Sequence, residues 1–282
     1  MTLERRNGNP LVKALIYLVC IILTIMCLFP FVVMVINSTR STMEVQAHAV
    51  SLIPGNSLIN NYNVFLGKSF SPFVGMKNSL IISIGATACT VYFSSLTAYA
   101  LVAYEWKLKK PFFSVILAIM MIPPTITAIG FYQFMLKLGL TNNFIPLIIP
   151  AIAAPSAVFF MRQFMIASLP LEILDSARID GSREFNTFNK IAVPIMKPAI
   201  ATQGIFSFVN TWNQLFLPSI LLTKDEVKTL PVMVSLLKGD IYKVEYGTVY
   251  LGLTLTVLPL FIIYFALSKY IIAGVALGGV KG

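Results

Sequence analysis

The chain has 282 residues, of which 57% are hydrophobic and only 11% are charged, and its mean hydropathy is +0.83. A soluble domain carries about 25% charged residues, so this composition excludes an ordinary soluble fold. The net charge of +10 does not indicate nucleic-acid binding, because apolar blocks separate the basic residues along the chain.

Mostly apolar windows without charged residues predict the elements of the chain in order. They cover residues 14–36, 78–104, 111–136, 138–161, 198–223 and 246–268. Each window exceeds the roughly 20 residues that a helix needs to cross about 30 Å of hydrocarbon. The sequence therefore predicts an all-α, polytopic membrane protein with six transmembrane helices, built as a single membrane domain over residues 1–282.

The basic residues orient these spans. With six spans both termini share one side of the membrane, and placing them in the cytoplasm puts most of the 21 lysines and arginines inside. All arginines except Arg40 then fall inside, including Arg162, which we place in the cytoplasmic loop directly after the fourth span. We therefore expect a multi-pass protein of the bacterial cell membrane with both termini cytoplasmic.

Residues that could support chemistry are scarce within the spans. No Asp, Glu, Lys or Arg falls in the middle of a predicted span, although proton- or sodium-driven carriers commonly place ionisable groups there. Cys20, Cys27 and Cys89 fall in apolar stretches, and His48 has no Cys or carboxylate at ligand spacing. The sequence predicts no metal site and no catalytic triad, and it disfavours an enzyme and an ion-coupled carrier. A facilitator, which needs no ionisable groups in its spans, remains an alternative.

Prolines interrupt several of the predicted spans. They are Pro123 and Pro124 in the third, Pro146, Pro150 and Pro155 in the fourth, Pro218 in the fifth and Pro259 in the sixth. A proline frees a backbone carbonyl, which a membrane tolerates only where protein or a water-filled cavity covers it. This pattern favours a moving bundle that lines a path, with ordinary proline enrichment in membrane helices as the alternative.

The loop at residues 167–197, between the fourth and fifth spans, carries the clearest local signals. Pro170 predicts a helix start, and Gly181 predicts a helix end in a left-handed turn. From Phe185 a second short helix follows, which we expect to end before Pro194. Two short amphipathic helices at an angle would suit a groove on a soluble partner, and a surface hairpin without a partner is the alternative.

A spaced pattern in this loop has a known counterpart. Asp175-Ser176-Ala177 is followed after three residues by Gly181, and after nine more by Ile191, Val193 and Pro194. This pattern resembles the EAA motif of binding-protein-dependent ABC permeases, in which Glu, Ala and Leu stand where this chain has Asp175, Ser176 and Val193. The resemblance implies a coupling-helix loop that docks on an ATPase through Asp175, Ser176, Ala177, Asp180, Gly181, Ile191 and Pro194.

Three further segments are similar to the carbohydrate-importer branch of that family. They are Asn210-Thr211-Trp212-Asn213, Ala177-Arg178-Ile179-Asp180-Gly181 and the C-terminal Gly278-Gly279-Val280-Lys281-Gly282. The resemblance is to the smaller permease subunit of maltose-type systems. It implies import of a sugar or oligosaccharide, with closure of the ATPase coupled to alternating access.

The resemblance also implies partners. These are a second homologous permease, an ATPase homodimer, an extracytoplasmic sugar-binding protein and membrane lipid, but no nucleic acid. The chain has no Walker A pattern, so it binds no ATP itself, and ATP with Mg would be held by the separate ATPase. We therefore expect a transport subunit without a cofactor of its own and without catalytic residues.

A polar stripe on the predicted fifth span marks a possible substrate path. At 100° per residue, Gln203, Ser207, Asn210 and Gln214 share one face, with Asn213 at its edge. Neutral amides and hydroxyls suit the hydroxyls of a sugar, which both donate and accept. Hydrogen bonding between helices is the alternative use of such residues, and in maltose-type systems the other permease holds most of the sugar.

Other transport classes stay open at this stage. The nearest alternative is an ABC permease for another small solute, such as phosphate, molybdate or an amino acid. Such paths would favour charged groups near the middle of the membrane, and the predicted spans contain none. An ion-coupled secondary carrier is the second alternative.

Overall fold

The computed structural model describes residues 10–67, 71–238 and 244–279, and within these ranges every regular element is a helix. The α-helices are α1 (Pro10–Ser38), α2 (Thr42–Ala47), α3 (Leu58–Leu66), α4 (Pro72–Ala103), α5 (Lys109–Met120), α6 (Pro124–Lys137), α7 (Ile145–Ile148), α8 (Pro155–Ser168), α9 (Leu171–Ile179), α10 (Glu184–Thr187), α11 (Val193–Ile195), α12 (Lys197–Trp212), α13 (Phe216–Leu221), α14 (Leu230–Leu236) and α15 (Tyr246–Gly279). Two 3₁₀ helices (Ile149–Ile152 and Asp225–Val227) and a π-helix (Phe188–Ala192) complete them. The all-α prediction is confirmed, whereas both termini, at 1–9 and 280–282, lie outside the described residues.

The chain forms two compact units, and the first lies within Met1–Lys68 and Leu236–Leu255. Polar contacts join α3 to the end of α1 in this unit. The side-chain amide of Asn61 donates to the carbonyls of Ser38 and Arg40, each at 2.9 Å. Gly247 packs against the same groups, and a Cβ there would lie 2.3 Å from the Arg40 carbonyl oxygen. In contrast, most apolar side chains of α1 are exposed, as expected for a helix that faces lipid.

The second unit lies within Ser69–Ser235 and Thr256–Gly282, and α4 packs along α8 and α12 at its centre. The side of α4 in these contacts carries small buried residues such as Ser83, Ala86 and Ala98, which let neighbouring helices approach closely. Met161 and Met165 of α8 are fully buried against α4. This packing fixes the base on which the loop between α8 and α12 rests.

The predicted six-span arrangement is only partly confirmed. Four helices of the described residues are long and apolar enough to cross a membrane: Pro10–Ser38, Pro72–Ala103, Ile145–Ser168 and Tyr246–Ala266. A fifth candidate is a pair of helical segments, Glu184–Ile195 and Lys197–Trp212, with a bend of 81° between them.

The third predicted span, 111–136, is divided into α5 and α6, which are 12 and 14 residues long. The break at residues 121–123 lies directly before Pro124, where two consecutive prolines cannot donate backbone hydrogen bonds. The fifth predicted span, 198–223, is divided likewise, since α12 ends at Trp212 and α13 begins at Phe216.

The fourth predicted span, 138–161, was placed too early in the sequence. The candidate helix covers Ile145–Ser168, with a 3₁₀ turn at Ile149–Ile152 between α7 and α8. Pro146, Pro150 and Pro155 each fall in the first turn of a helical segment, where the missing N–H costs nothing, so they restart the helix rather than end it. Arg162 therefore lies inside a helix and not in the cytoplasmic loop.

Candidate functional site

The first helix of the candidate coupling loop is α9. Pro170, in an extended conformation, precedes its first turn, and Glu172 and Arg178 lie in its first and last turns, where their charges suit the helix dipole. Leu174 and Ala177 are buried, and Leu174 belongs to the apolar cluster formed with α4 and α8. The two therefore attach α9 to the membrane helices and are not free to meet a partner.

Gly181 ends α9 in the left-handed conformation expected from the sequence, with φ of +79°. The Gly181 N–H donates to the Arg178 carbonyl at 3.0 Å, and the Ser182 N–H donates to the Ala177 carbonyl at 2.9 Å. This pair of bonds is a Schellman motif, which satisfies the last carbonyls of the helix. A Cβ at position 181 would meet no atom within 4 Å, so backbone conformation alone favours glycine there.

Arg178 connects the two helices of the loop to the end of α4. Its Nη1 lies 2.9 Å from Asp175 Oδ1 and its Nε lies 2.8 Å from Glu184 Oε1. A weaker bond, at 3.4 Å, runs from Nη2 to the carbonyl of Ala103 at the end of α4, and the guanidinium carbon lies 5.3 Å from the centre of the Tyr104 ring. The residue therefore links α9, α10 and α4.

Glu184 receives hydrogen bonds from both sides. Its Oε2 accepts from the hydroxyls of Tyr104 and, at 3.3 Å, Tyr99, while Oε1 accepts from Arg178. Hydrogen bonding from Arg178, followed by that from Tyr104, holds the pKa of the Glu184 carboxyl below its usual value. The carboxylate is thus ionised at neutral pH and fixes the start of α10 against the end of α4.

The second half of the loop differs from the prediction. We expected the second helix to end before Pro194, but helical structure continues from α10 through the π-helix and α11 to Ile195. The prediction failed because Pro194 falls in the first turn of α11, where the absent N–H is tolerated. Phe188, Ala192 and Met196 are buried, so this half is packed into the core before the chain turns into α12.

The seven predicted coupling residues are therefore divided between exposed and inward positions. Asp175, Ser176, Asp180, Gly181 and Pro194 are exposed, Ile191 is half-buried and Ala177 is buried. The exposed surface also contains apolar side chains that the sequence analysis did not select, chiefly Ile179, 87% exposed, and Phe185, 65% exposed. Ile179 falls within the segment that resembles the carbohydrate branch and Phe185 begins the predicted second helix, but neither was assigned to docking because their exposure depends on the folded loop.

A cavity of about 560 Å³ lies in the second unit beside α12. Four of the five predicted substrate-path residues line it, namely Gln203, Ser207, Asn210 and Gln214, together with Thr90, Thr127, Phe131, Pro146, Pro150, Ser156 and Phe206. Asn213 does not line it, because it caps the end of α12 and leaves the polar face. Among the described residues no charged side chain lines this cavity.

Three amide side chains in the cavity are available to a solute. The side chains of Gln203, Asn210 and Gln214 make no hydrogen bond within the described part of the chain, so they do not join helices of this subunit. The Thr90 hydroxyl, in contrast, donates to the Ala151 carbonyl at 3.1 Å, in the segment interrupted by prolines. Within the same ranges no group of three or more His, Cys, Asp or Glu residues could hold a metal ion.

Comparisons with known proteins bear on the family of this chain. Residues 90–276, which include the loop and the cavity beside α12, match the family model "Binding-protein-dependent transport system inner membrane component". The chain is 33% identical to AraQ of Halalkalibacterium halodurans, an arabinooligosaccharides transport system permease protein, over 99% of this chain and 100% of that protein. It is also 33% identical to LacG of Rhizobium radiobacter, a lactose transport system permease protein, over 100% of each.

A solved structure shares the fold. It is a bacterial ABC transporter involved in the import of the acidic polysaccharide alginate, and one of its chains is similar with a TM-score of 0.77 and 20% identity, covering 96% of this chain and 100% of that chain.

Proposed function

Because the chain belongs to the family of binding-protein-dependent transport system inner membrane components, we propose that it is a membrane-spanning subunit of an ATP-driven importer of a sugar or oligosaccharide. The subunit is a transport component of the membrane and not an enzyme. Its full-length similarity to permeases for arabinooligosaccharides and lactose supports a carbohydrate substrate. The observation that carries the proposal is the cavity beside α12, whose lining includes the neutral amides of Gln203, Asn210 and Gln214, groups that suit a solute rich in hydroxyl groups.

The substrate path in this proposal follows the polar face of α12. Gln203, Ser207, Asn210 and Gln214 donate to and accept from sugar hydroxyls, while Phe131 and Phe206 offer apolar surface to the sugar ring. The lack of charge among the described lining residues favours a neutral sugar over phosphate, molybdate or an amino acid. Asn213 has no role in this path.

In this proposal, coupling runs through the loop at residues 167–197, which we call the α9 loop after its first helix. The exposed side of α9 and the turn at Gly181 dock in a groove of the ATPase, which binds ATP and Mg and acts as a homodimer. Since Arg178 connects α9 to α10 and to the end of α4, closure of the ATPase would move these segments together. The continuous helical path from α10 to Ile195 then carries the motion into α12 and its cavity.

Asp175 is the residue whose part in docking is most easily tested. Only its Oδ1 is engaged by Arg178, and the side chain is 65% exposed, which leaves Oδ2 for a basic residue of the ATPase. Asp175→Ala should lose ATPase co-purification and uptake together, because the partner charge would be left unpaired. Asp175→Glu keeps the carboxylate and should be tolerated. An active alanine variant would assign docking to Ile179 and Phe185 instead.

The remaining partners follow from the same proposal. A second, homologous permease completes the path, and an extracytoplasmic binding protein delivers the sugar on the side opposite the α9 loop. The α9 loop and both termini then face the cytoplasm.

The function itself is tested by transport. Right-side-out vesicles that contain the assembled importer are loaded with ATP and supplied from outside with the binding protein and labelled arabino-oligosaccharides, lactose or maltose. We expect uptake of a neutral sugar that requires ATP and survives an uncoupler. Uptake that persists without ATP but collapses with the uncoupler would instead identify an ion-coupled carrier.

A further inference from the structure

An arginine lies within an otherwise apolar helix contact of the second unit. Arg162 belongs to α8, and its guanidinium carbon lies 4.2 Å from the centre of the Phe113 ring on α5. Its Nε is buried without a hydrogen-bond partner. None of the ion pairs formed by the described residues includes Arg162. The charge thus lies over an aromatic ring but has no anion among the residues that the structure describes.

The aromatic ring satisfies this charge only in part. A ring face attracts a cation, but it cannot accept the in-plane hydrogen bonds of a guanidinium, which carries five donors in a planar fork. Phe113 packs with Leu101, Ile116 and Val158 and stacks on the ring of Phe159, and none of these side chains offers a hydrogen-bond acceptor in the ring plane. An unpaired guanidinium at membrane level is costly, so this position calls for an anion from outside the described part of the chain.

The depth of Arg162 suggests which anion reaches it. Phe113 lies four residues after the start of α5 at Lys109, and Arg162 lies six residues before the end of α8 at Ser168. At 1.5 Å per residue, the two are roughly 6 and 9 Å from their helix ends. Both ends are on the side of the α9 loop, where α4 ends and α9 begins. With these helix ends at the membrane surface, this depth is close to the boundary between the headgroups and the hydrocarbon of that leaflet.

The surroundings of the pair are those of a lipid-facing interface. Phe112, Val115 and Ile166, on the two flanking helices, are 44%, 56% and 54% exposed, which favours acyl chains over a soluble partner. Lys110 is exposed three residues before Phe113, and residues at this spacing share a helix face. Trp106 packs with Phe112 at 5.7 Å between ring centres, as interfacial aromatic residues often do.

We propose that Arg162 binds the phosphate of an anionic phospholipid in the leaflet on the side of the α9 loop. The planar guanidinium binds two phosphate oxygens in a bidentate manner, and Lys110 adds a second positive charge. The Phe113 ring packs against one face of the guanidinium and fixes its orientation. The acyl chains lie along the exposed apolar sides of α5 and α8. The inference rests on the proposed function only in calling this leaflet cytoplasmic.

Native mass spectrometry of the assembled importer tests this site directly. The complex is extracted from membranes that contain phosphatidylglycerol and phosphatidylcholine, and the bound lipids are compared for the wild type, Arg162→Gln, Arg162→Lys and Lys137→Gln. Lys137 serves as the matched control, because its removal also deletes one exposed positive charge, at the end of α6. Lipid retention is read without transport, so failure of this inference and failure of the proposed function are distinguishable.

The expected result is a selective loss. Arg162→Gln should retain about fivefold less phosphatidylglycerol, the factor expected for one basic residue at an anionic membrane surface, with phosphatidylcholine unchanged. Arg162→Lys keeps the charge but not the planar guanidinium, so the phosphatidylglycerol that it retains should lie between the amounts for the wild type and for Arg162→Gln. If Arg162→Gln prevents the protein from accumulating, Arg162→Lys is compared with the wild type instead. Lys137→Gln should match the wild type.

Three results would overturn the inference. Unchanged phosphatidylglycerol in both Arg162 variants would mean that no lipid phosphate is bound there. Equal losses of both lipids would assign Arg162 to a structural contact with Phe113 only. Loss of a protein subunit from the complex, with lipids unchanged, would show that the anion is a carboxylate of that subunit.

Discussion

Arg178 in α9 donates through Nε to Oε1 of Glu184 in α10 at 2.8 Å, across the left-handed turn at Gly181. The contact closes the candidate coupling loop on itself, and the tyrosine hydroxyls that reach the other oxygen of Glu184 attach it to α4. The exposed side of α9 is therefore presented on a braced turn and not on a free hairpin.

Removing the Glu184 charge should loosen this brace. In Glu184→Gln the ion pair with Arg178 is lost, and we expect a destabilisation of only about 1 kcal/mol or less, because the paired side chains are 31% and 45% exposed. ATP-driven uptake should fall more than ATPase co-purification, since docking residues remain in place. Glu172→Gln is the matched control, as Glu172 lies in α9, the helix of Arg178, and forms none of the ion pairs of the described residues. Equal behaviour of the two variants would refute a specific role for the brace.

The same pair predicts a direction of pH dependence. The pKa of Glu184 is lowered on folding, chiefly by the hydrogen bond from Arg178. Its contribution to stability is therefore fully present above the unfolded pKa, about 4.3, and is lost as pH falls through the folded pKa. The Tm difference between wild type and Glu184→Gln should stay constant from pH 8 to about 5 and shrink in acid. A difference that widens on acidification would contradict this sign.

Gly181 should be sensitive to any side chain for backbone reasons alone. Its φ is +79° and a Cβ would meet no atom within 4 Å, so Gly181→Val strains only the turn, by about 1 to 2 kcal/mol. Gly139, with φ of +68° and equally open surroundings, is the matched control at the end of α6. We expect both valine variants to insert in the membrane, but only Gly181→Val to lose ATPase co-purification. Similar losses in both would point to general misfolding.

The cavity beside α12 distinguishes two neighbouring asparagines. Asn210 lines it and Asn213 does not, although the sequence placed both on one face or its edge. Asn210→Leu should remove one hydrogen bond to the sugar, worth about 1 kcal/mol, and raise the KM for uptake roughly fivefold. Asn213→Leu should leave the KM unchanged. An equal effect of both variants, with ATPase association intact, would indicate that the sugar does not follow this face.

Local signals predicted part of this site well. Pro170 and Gly181 mark the two ends of α9, because both act within a few residues of their own position. The 100° periodicity selected five polar residues in or directly after α12, and four of them line the cavity. The contacts of Glu184 with Tyr99 and Tyr104 join residues about 80 positions apart, and no spacing rule in one sequence reveals such pairs.

Prolines caused the main errors. In the sequence Pro146, Pro155 and Pro194 read as interruptions, whereas in the structure each lies in a first turn and begins a new helical segment. The fourth window, in contrast, was ended at Met161 by the charge of Arg162, which placed that residue in a loop although the helix continues to Ser168. A hydropathy window does not distinguish a proline that ends a helix from one that starts it.

Crosslinking at Ile179 tests coupling through the α9 loop most directly. Ile179 is 87% exposed at the end of α9, so a cysteine there should not disturb packing. With Cys20, Cys27 and Cys89 replaced by serine, Ile179→Cys and the control Lys137→Cys are placed in the assembled importer and treated with a short bifunctional reagent. We predict an adduct of Ile179→Cys with the ATPase subunit whose yield changes when ATP is bound, and none from Lys137→Cys. An importer that transports sugar while Ile179→Cys gives no ATPase adduct, with or without ATP, would contradict coupling through this loop.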